Sequence, residues 1–196
     1  MRVLGCIIAG GVSSRMGQEK ALMLLGGKPL IVHVAARLAC QVEQLSVNAN
    51  GDAARFEFLN LPVFHDLIAT GGTPLAGLHA SLQYAKMRNF DAVLSVPSDT
   101  PFLPFDLRTR LEIPPPSIAA SQGQEHYLTG FWPVSLLSVL ERASAARNLT
   151  RVRDWAALVV VKPVEWVAAE LDPFFNVNTP EDLTQAETYL VLSEKL

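Results

Sequence analysis

The chain has 196 residues, of which 49% are hydrophobic and 18% are charged, and its formal net charge at pH 7 is −3. A chain of this length can form one domain with a sizeable core, and the composition is typical of globular proteins. The negative charge disfavours general electrostatic binding of nucleic acid, which needs clustered basic residues. Any anion that the protein binds must therefore be captured by a local site.

The cysteines and the N-terminal segment exclude further classes. Cys6 and Cys40 are too few and too scattered for a disulfide framework or a zinc site, and both are predicted to be buried thiols. The apolar segment Val3–Ala9 is short for a signal peptide and is better explained as a strand that enters a loop. No stretch approaches the ~18 apolar residues of a membrane span. We therefore expect a cytoplasmic protein with neither a membrane nor a nucleic-acid partner.

Short apolar runs alternate with helical patterns through the first half of the chain. Val3–Ile8 is a continuous apolar run, as expected of a strand buried on both faces, and Pro29 starts a helix over Leu30–Cys40. Further strands are predicted at Gln44–Val47, Pro62–Phe64 and Asp91–Val96, with a helix from Pro74 to about Lys86. This β-α-β alternation predicts an α/β fold with a doubly wound, mainly parallel (mixed) sheet.

The second half of the chain is less regular. The predicted elements are strands Ser117–Ala120, Tyr127–Trp132, Leu158–Val161 and Val164–Val167, and a helix at Ser135–Arg142. A last helix is predicted from Thr179 to about Leu192, since Thr179 suits the N-cap, Pro180 the first turn and Asp182 the third position after the cap. Neither a repeat nor a flexible linker divides the sequence, so residues 1–196 are predicted to form a single domain.

A glycine-rich segment, IIAGGVSSRMGQEK at residues 7–20, follows the first predicted strand. It has the spacing of neither the Rossmann fingerprint nor the Walker loop. Its glycines would still let backbone N–H groups approach phosphate oxygens, and Arg15 and Lys20 would neutralise charge. The segment is either a phosphate-binding loop or a plain strand-to-helix loop with solvated charges, and the spacing alone favours neither.

Asp99 follows the strand predicted at Asp91–Val96, in the segment PSDTPF. In an open α/β sheet, ligands bind beyond the carboxyl ends of the strands. A carboxylate there suits Mg²⁺, which prefers one or two carboxylates together with phosphate oxygens and water. The alternative is a turn-forming aspartate before Pro101. Its position favours the magnesium site.

Other polar side chains follow further predicted strands. Asn48 and Asp66 carry amide and carboxylate groups that suit recognition of a nucleobase edge and a ribose. Asn176 and Asn178 would share one face of an extended segment, where their carbonyls suit a metal or a hydrogen-bonding ligand. All four are also common turn formers, and for Asn176 and Asn178 alone the turn is favoured. The histidines show no metal-ligand spacing and are predicted to be packed or solvated.

Six short segments occur along the chain in the order AGGxSxRMGxxK (9–20), GKPL (27–30), VNAN (47–50), PLAG (74–77), DTPF (99–102) and NVNTPED (176–182). Taken together and in this order, they resemble the molybdenum cofactor guanylyltransferase (MobA-type) family. The first segment alone is typical of the wider nucleotidyltransferase superfamily, whereas its combination with the later asparagine-containing segments is much more specific. Two features depart from the family pattern: Thr73 replaces the usual glycine before PLAG, and residues 146–152 lack a glycine that commonly precedes a basic turn.

The resemblance implies a Rossmann-like nucleotidyltransferase fold and a reaction. GMP would be transferred from GTP to the terminal phosphate of molybdenum-molybdopterin, with release of pyrophosphate. It further implies a nucleotide-binding half at about residues 1–110 and an acceptor-binding half at about 111–196. Mg²⁺ is the implied cofactor, and molybdenum-insertion proteins and molybdoenzyme chaperones are the implied protein partners.

Residue roles also follow from the resemblance. Asn176 and Asn178 would lie on the acceptor side of the site, and Asp99 would bind the metal. The residues implied to be catalytic are Arg15, Lys20 and Asp99. Those implied to bind the nucleotide are Ile8, Ala9, Gly10, Gly11, Lys20, Asn48, Asp66 and Asp99.

Two other functions are open from the sequence. A cytidylyltransferase of the molybdenum cofactor, or a sugar-phosphate nucleotidyltransferase, would share the fold and differ in base preference. A catalytically idle nucleotide-binding module that delivers the cofactor to apo-enzymes would bind GTP without releasing pyrophosphate. The presence of Arg15, Lys20 and Asp99 favours catalysis, since binding alone would not require all three.

Overall fold

The computed structural model describes residues 1–9, 19–67, 72–112, 115–147, 149–167 and 171–193. The strands in these ranges are β1 Val3–Ile8, β2 Leu24–Leu25, β3 Lys28–Pro29, β4 Gln44–Asn48, β5 Val63–Phe64, β6 Ala92–Pro97, β7 Ser117–Ser121, β8 Gln124–Pro133 and β9 Lys162–Trp166. The α-helices are α1 Leu30–Ala39, α2 Pro74–Met87, α3 Leu107–Leu111, α4 Leu137–Arg147, α5 Val152–Val159 and α6 Pro180–Ser193. Short 3-10 helices span Lys20–Leu22, Ala53–Leu59 and Val134–Leu136.

A seven-stranded sheet in the order β5-β4-β1-β6-β8-β7-β9 forms the centre of the molecule. Its neighbouring strands pair in parallel except at β8, which runs antiparallel to both β6 and β7. β1 lies between β4 and β6 and is buried along its whole length, which explains its uninterrupted apolar run.

Helices pack on both faces of this sheet. Val3 and Ile7 of β1 enter one hydrophobic cluster with apolar residues of α1 and α3. Leu4 and Ile8 enter a second cluster with apolar residues of α2, α4 and α5. The two clusters lie on opposite faces because successive side chains of a strand point in opposite directions. The predicted fold class, a doubly wound α/β fold with a mainly parallel, mixed sheet, is confirmed.

Two local predictions are wrong. Residues 158–161 do not form a strand, because α5 spans Val152–Val159 and buries Trp155 and Ala156 against the second cluster. The apolar positions 152, 155, 156 and 159 have helical spacing, which outweighs the β-branched run at the end of the helix. Cys40 is exposed at the end of α1, whereas Cys6 is buried as predicted.

The last helix starts as the sequence predicts. Asp182 Oδ2 accepts hydrogen bonds from the backbone N–H groups of Asn178 (2.8 Å) and Thr179 (2.9 Å), and the Asp182 N–H donates to Thr179 Oγ1 (3.1 Å). These reciprocal bonds satisfy N–H groups that the first turn of a helix leaves unpaired. They also fix the backbone of Asn178 immediately before α6. No helix in the described ranges has the length and hydropathy needed to cross a bilayer.

Candidate active site

The carboxyl ends of four neighbouring strands lie side by side. The register places Ile8 of β1 between Asn48 of β4 and Pro97 of β6, and Asn48 next to Phe64 of β5. Because these strands are parallel, the segments that follow them all leave the same edge of the sheet. This edge is where ligands bind in open α/β folds, and most of the predicted site residues are gathered there.

The segment that follows β1 begins at this edge. Ile8 is 4% exposed and Ala9 is 6% exposed, and the Ala9 N–H donates to the Asn48 carbonyl (2.8 Å). Lys20 lies in the 3-10 helix where the described chain resumes. The other predicted residues of this segment, Gly10, Gly11 and Arg15, lie outside the described residues.

Asp66 accepts hydrogen bonds from several amides beyond β4 and β5. Asn48 Nδ2 donates to Asp66 Oδ1 (3.1 Å), and Asn50 Nδ2 donates to Asp66 Oδ2 (2.7 Å). The Gly72 N–H also donates to Asp66 Oδ2 (2.8 Å). Asn48 is only 1% exposed and donates to Asp66 from the protein interior, whereas Asp66 itself is half-buried. Of the two, Asp66 is the residue open to a ligand.

Arg55 connects this network to the segment that follows β1. Its Nε lies 2.7 Å from Glu19 Oε2, and its Nη2 donates to the Asn50 carbonyl (2.6 Å). Asn50 and Arg55 thereby link the hydrogen bonds of Asp66 to Glu19, the residue that precedes Lys20. Sequence reasoning gave no role to Arg55, whereas Asn50 was a candidate beside Asn48 at the end of the second predicted strand. The Asn-Ala-Asn spacing was the available signal for Asn50, since it repeats the amide two residues on.

Gly77 in α2 packs directly against Asn48. A Cβ atom at Gly77 would lie 2.5 Å from Asn48 Oδ1 and 2.9 Å from Ile8 Cγ2, well inside normal contact distances. The absence of a side chain at position 77 therefore lets α2 approach the ends of β1 and β4. This packing explains why position 77, in the PLAG segment, is a glycine.

Replacing Gly77 with alanine is therefore expected to destabilise the protein. At an unconstrained helix position this change stabilises by about 1 kcal/mol, but overpacking a filled core costs about 1–3 kcal/mol. Since the resemblance implies that Asp66 binds the nucleotide, the displaced Asn48 side chain should also weaken GTP binding. Urea denaturation and GTP titration of Gly77→Ala measure both effects. A gain in the free energy of unfolding, as helix propensity alone predicts, would contradict this account of the packing.

Lys20, Asp99 and Asn178 converge from three distant parts of the chain. Lys20 Nζ lies 3.6 Å from Asp99 Oδ2 and donates to Asn178 Oδ1 at 2.5 Å. The Val177 N–H donates to the Asp99 carbonyl (2.9 Å), which joins the segment before α6 to the turn after β6. Residues 175–178 belong to no strand, and Asn176 and Asn178 line the same cavity.

Burial sets the electrostatics of Asp99. Its side chain is only 17% exposed, and desolvation raises the pKa of its carboxyl group, while the charge of Lys20 and hydrogen bonds from Lys20 and the backbone oppose the rise. A carboxylate held in this environment is stabilised by cations. In the protein alone, Lys20 is the cation that lies beside it.

The donor set next to Asp99 suits Mg²⁺. Asp99 offers a carboxylate and Asn178 an amide oxygen, and magnesium prefers oxygen ligands. Within the described ranges no group of three or more His, Cys, Asp and Glu residues is arranged to hold a metal ion. The residues present therefore fit an ion that completes its coordination with phosphate oxygens and water.

A cavity of about 350 Å³ opens beside Asp99. Its walls are the turn after β6, residues 124–129 of β8, and Asn176 and Asn178. The pairing of β7 with β8 jumps from Ala119–His126 to Ile118–Gly130, so residues 127–129 bulge out of the strand. Such irregularities re-aim side chains and are frequent beside active sites. A larger cavity of about 530 Å³ lies between α2 and α4 and is lined by none of the predicted site residues.

Comparisons with known proteins agree with this geometry. Residues 5–160 match the family described as "MobA-like NTP transferase domain". A molybdenum cofactor guanylyltransferase from Rhodobacter capsulatus is 44% identical over 193 residues, which cover 97% of both chains. The corresponding protein from Cereibacter sphaeroides is 41% identical and covers 97% of this chain and 98% of its own.

Solved structures show the same relationship. Molybdopterin-guanine dinucleotide biosynthesis protein A from Archaeoglobus fulgidus superimposes with a TM-score of 0.72 at 25% identity, covering 96% of this chain and 99% of its own. A nucleotidyl transferase from Methanothermobacter thermautotrophicus gives a TM-score of 0.73 at 16% identity over 98% and 99% of the two chains, and shows the fold alone. The chain therefore belongs to the molybdenum cofactor guanylyltransferase family, within the MobA-like NTP transferases.

Proposed function

We propose that this protein transfers GMP from GTP to the terminal phosphate of molybdenum-molybdopterin, giving the guanine dinucleotide cofactor and pyrophosphate. The observation that carries the proposal is the convergence of Lys20, Asp99 and Asn178 beside a cavity at the carboxyl edge of the sheet. The names of the full-length relatives support the choice of nucleotide and acceptor.

The reaction needs little acid–base catalysis from the protein. The attacking phosphate oxygen is already ionised, so no protein nucleophile is needed. Catalysis then depends on holding the two substrates in line and on neutralising charge at the leaving pyrophosphate. The Lys20 ammonium group would bind phosphate oxygens, and we assign the same role to Arg15. Asp99 would hold Mg²⁺, which supplies further positive charge at the phosphates when it is bound.

We assign the nucleotide to about residues 1–110 and the acceptor to about 111–196. In the first half, Asp66 offers carboxylate oxygens to the donor groups of guanosine, and Asn48 and Asn50 orient it. The backbone of Ile8 through Gly11 would line the nucleotide. In the second half, Asn176 and Asn178 face the cavity shared with Asp99 and lie on the acceptor side.

We also propose protein partners, namely molybdenum-insertion proteins that supply the acceptor and molybdoenzyme chaperones that receive the product. The support is chemical. The acceptor and product of this reaction are not end products, so one protein class must supply the acceptor and another must use the dinucleotide.

Nucleotide preference separates this function from its rivals. Guanine presents N–H donors that suit the Asp66 carboxylate, whereas cytosine presents a different edge. Calorimetric titration of GTP, CTP and ATP with Mg²⁺ is expected to show a clear preference for GTP. Preference for CTP would identify a cytidylyltransferase instead. Tight GTP binding without pyrophosphate release, in the presence of molybdopterin, would identify a delivery module.

A further inference from the structure

A chain of hydrogen bonds lies behind the wall of the 350 Å³ cavity, and the proposed mechanism does not use it. Ser121 Oγ donates to Asp172 Oδ1 (2.8 Å) and lies 2.7 Å from Nε2 of His126. The Phe174 N–H donates to the same Asp172 oxygen (2.9 Å). His126 is half-buried and lines the cavity together with Asp99. The hydrogen bonds therefore connect Asp172 to Ser121 and Ser121 to His126, which lines the cavity.

The hairpin between β7 and β8 places these side chains together. Gln122 and Gly123 both have positive φ angles, 50° and 74°, as a two-residue hairpin turn of type I′ requires. The register sets Ala119 opposite His126, so Ser121 and His126 lie diagonally on the same face. The Phe174 ring packs against the imidazole with ring centroids 4.8 Å apart. The orientation of the His126 ring is thus fixed by packing as well as by hydrogen bonding.

The donor-to-acceptor direction of these hydrogen bonds assigns the tautomer of His126. A carboxylate oxygen only accepts, so the single hydroxyl proton of Ser121 goes to Asp172. The Ser121 oxygen must then accept from His126, which places the imidazole proton on Nε2. Burial lowers the pKa of His126, against the opposing charges of Asp172 and Glu165, and therefore favours the neutral ring. Nδ1 is left as an acceptor, and no donor in the described part of the chain pairs with it.

Two chemically different sets of groups line the cavity. Asp99 and Asn178 form one set, and Lys20, which contacts both side chains, adds positive charge there, so this part of the wall attracts phosphate together with the cation that Asp99 suits. His126 and the exposed Glu125 belong to the other set and carry hydrogen-bond acceptors, of which one Glu125 oxygen already accepts from the Tyr127 hydroxyl group. Phosphate oxygens are also acceptors and are disfavoured beside these groups. The unpaired acceptor of His126 instead suits a neutral group that donates a hydrogen bond.

We propose that His126 selects the acceptor substrate by accepting, at Nδ1, a hydrogen bond from an N–H or amino group of its heterocycle, while Ser121 and Asp172 position the ring. This inference rests on the proposed function for the identity of the acceptor. A molecule with a phosphate at one end and an N–H-bearing pterin at the other matches the polarity of the cavity. His126 thereby becomes a specificity residue that the family motifs do not contain.

Two substitutions separate the ring nitrogens. In His126→Asn an amide oxygen can occupy the position of Nδ1, whereas in His126→Gln the longer side chain reaches the position of Nε2 and leaves Nδ1 unreplaced. We expect the KM for molybdopterin to rise about tenfold in His126→Gln, equal to ~1.4 kcal/mol, and by less than about threefold in His126→Asn. The KM for GTP should be unchanged in both. Equal effects of the two variants, or an effect on GTP alone, would overturn the inference.

A second measurement does not depend on turnover. Nitrogen-15 NMR of the protein without substrates reports which imidazole nitrogen is protonated, and we expect the Nε2–H tautomer in the wild type and a mixture of tautomers in Ser121→Ala. An Nδ1–H tautomer in the wild type would overturn the inference. If the wild type binds molybdopterin in a His126-dependent way but transfers no GMP, the proposed function fails and this inference is supported.

Discussion

Replacing Asp99 with asparagine is expected to lower kcat for GMP transfer by roughly 100- to 1,000-fold, the typical cost of one lost electrostatic contact in a transition state. The variant keeps the size of the side chain and removes the charge that suits Mg²⁺. The fold should survive, because burial already raises the pKa of Asp99 and the charged form is therefore held at a cost. Thermal denaturation should give a midpoint no lower than that of the wild type.

The matched control is Glu57→Gln, which removes a carboxylate from an exposed residue and should leave kcat unchanged. Titration of Mg²⁺ at fixed GTP adds a second readout, since Asp99→Asn should need a much higher Mg²⁺ concentration for half-maximal activity. Near-normal turnover of purified Asp99→Asn or Asp99→Ala would contradict the metal role of this residue.

Replacing Lys20 with alanine should reduce kcat by a similar factor, roughly 100- to 1,000-fold. Lys20 brings the only cation within 4 Å of Asp99 in the described part of the chain, and its side chain is 27% exposed, so it is open to incoming phosphates. Its loss should also free Asn178, whose amide oxygen it binds. Steady-state kinetics with both substrates, together with GTP titration, measure the effect.

Lys86→Ala provides the control for the lysine, because it removes the same charge from an exposed position in the last turn of α2. Its kinetics should match those of the wild type. If Lys20→Ala bound GTP and turned over as the wild type does, phosphate binding by this residue would be excluded, and the ion pair with Asp99 would be structural only.

The strands that carry site residues in the first half of the chain are predictable from the sequence because their signals are local. A strand buried on both faces is continuously apolar, as in Val3–Ile8, and parallel strands bring their carboxyl ends to one edge without further information. Asn48, Asp66 and Asp99 were therefore expected at that edge from order alone. The capping residues Thr179 and Asp182 likewise act within one helical turn.

The remaining features depend on contacts between distant residues. Lys20 forms a hydrogen bond with Asn178, which is 158 positions away in the sequence, and Ser121 forms one with Asp172, which is 51 positions away. Neither contact produces a periodic pattern in the sequence. The β8 bulge is equally hidden, since Tyr127–Trp132 resembles an ordinary strand until its register against β7 is known. The run Leu158–Val161 misleads because β-branched residues at the end of an amphipathic helix resemble a strand.

The most direct test of the proposed function is to identify the product. The purified protein is incubated anaerobically with Mg²⁺, molybdopterin and GTP labelled at its α-phosphate. The account predicts that the label appears in a molybdopterin guanine dinucleotide, with one pyrophosphate released for each molecule formed. No labelled dinucleotide from a folded sample, or faster labelling from CTP than from GTP, would contradict it.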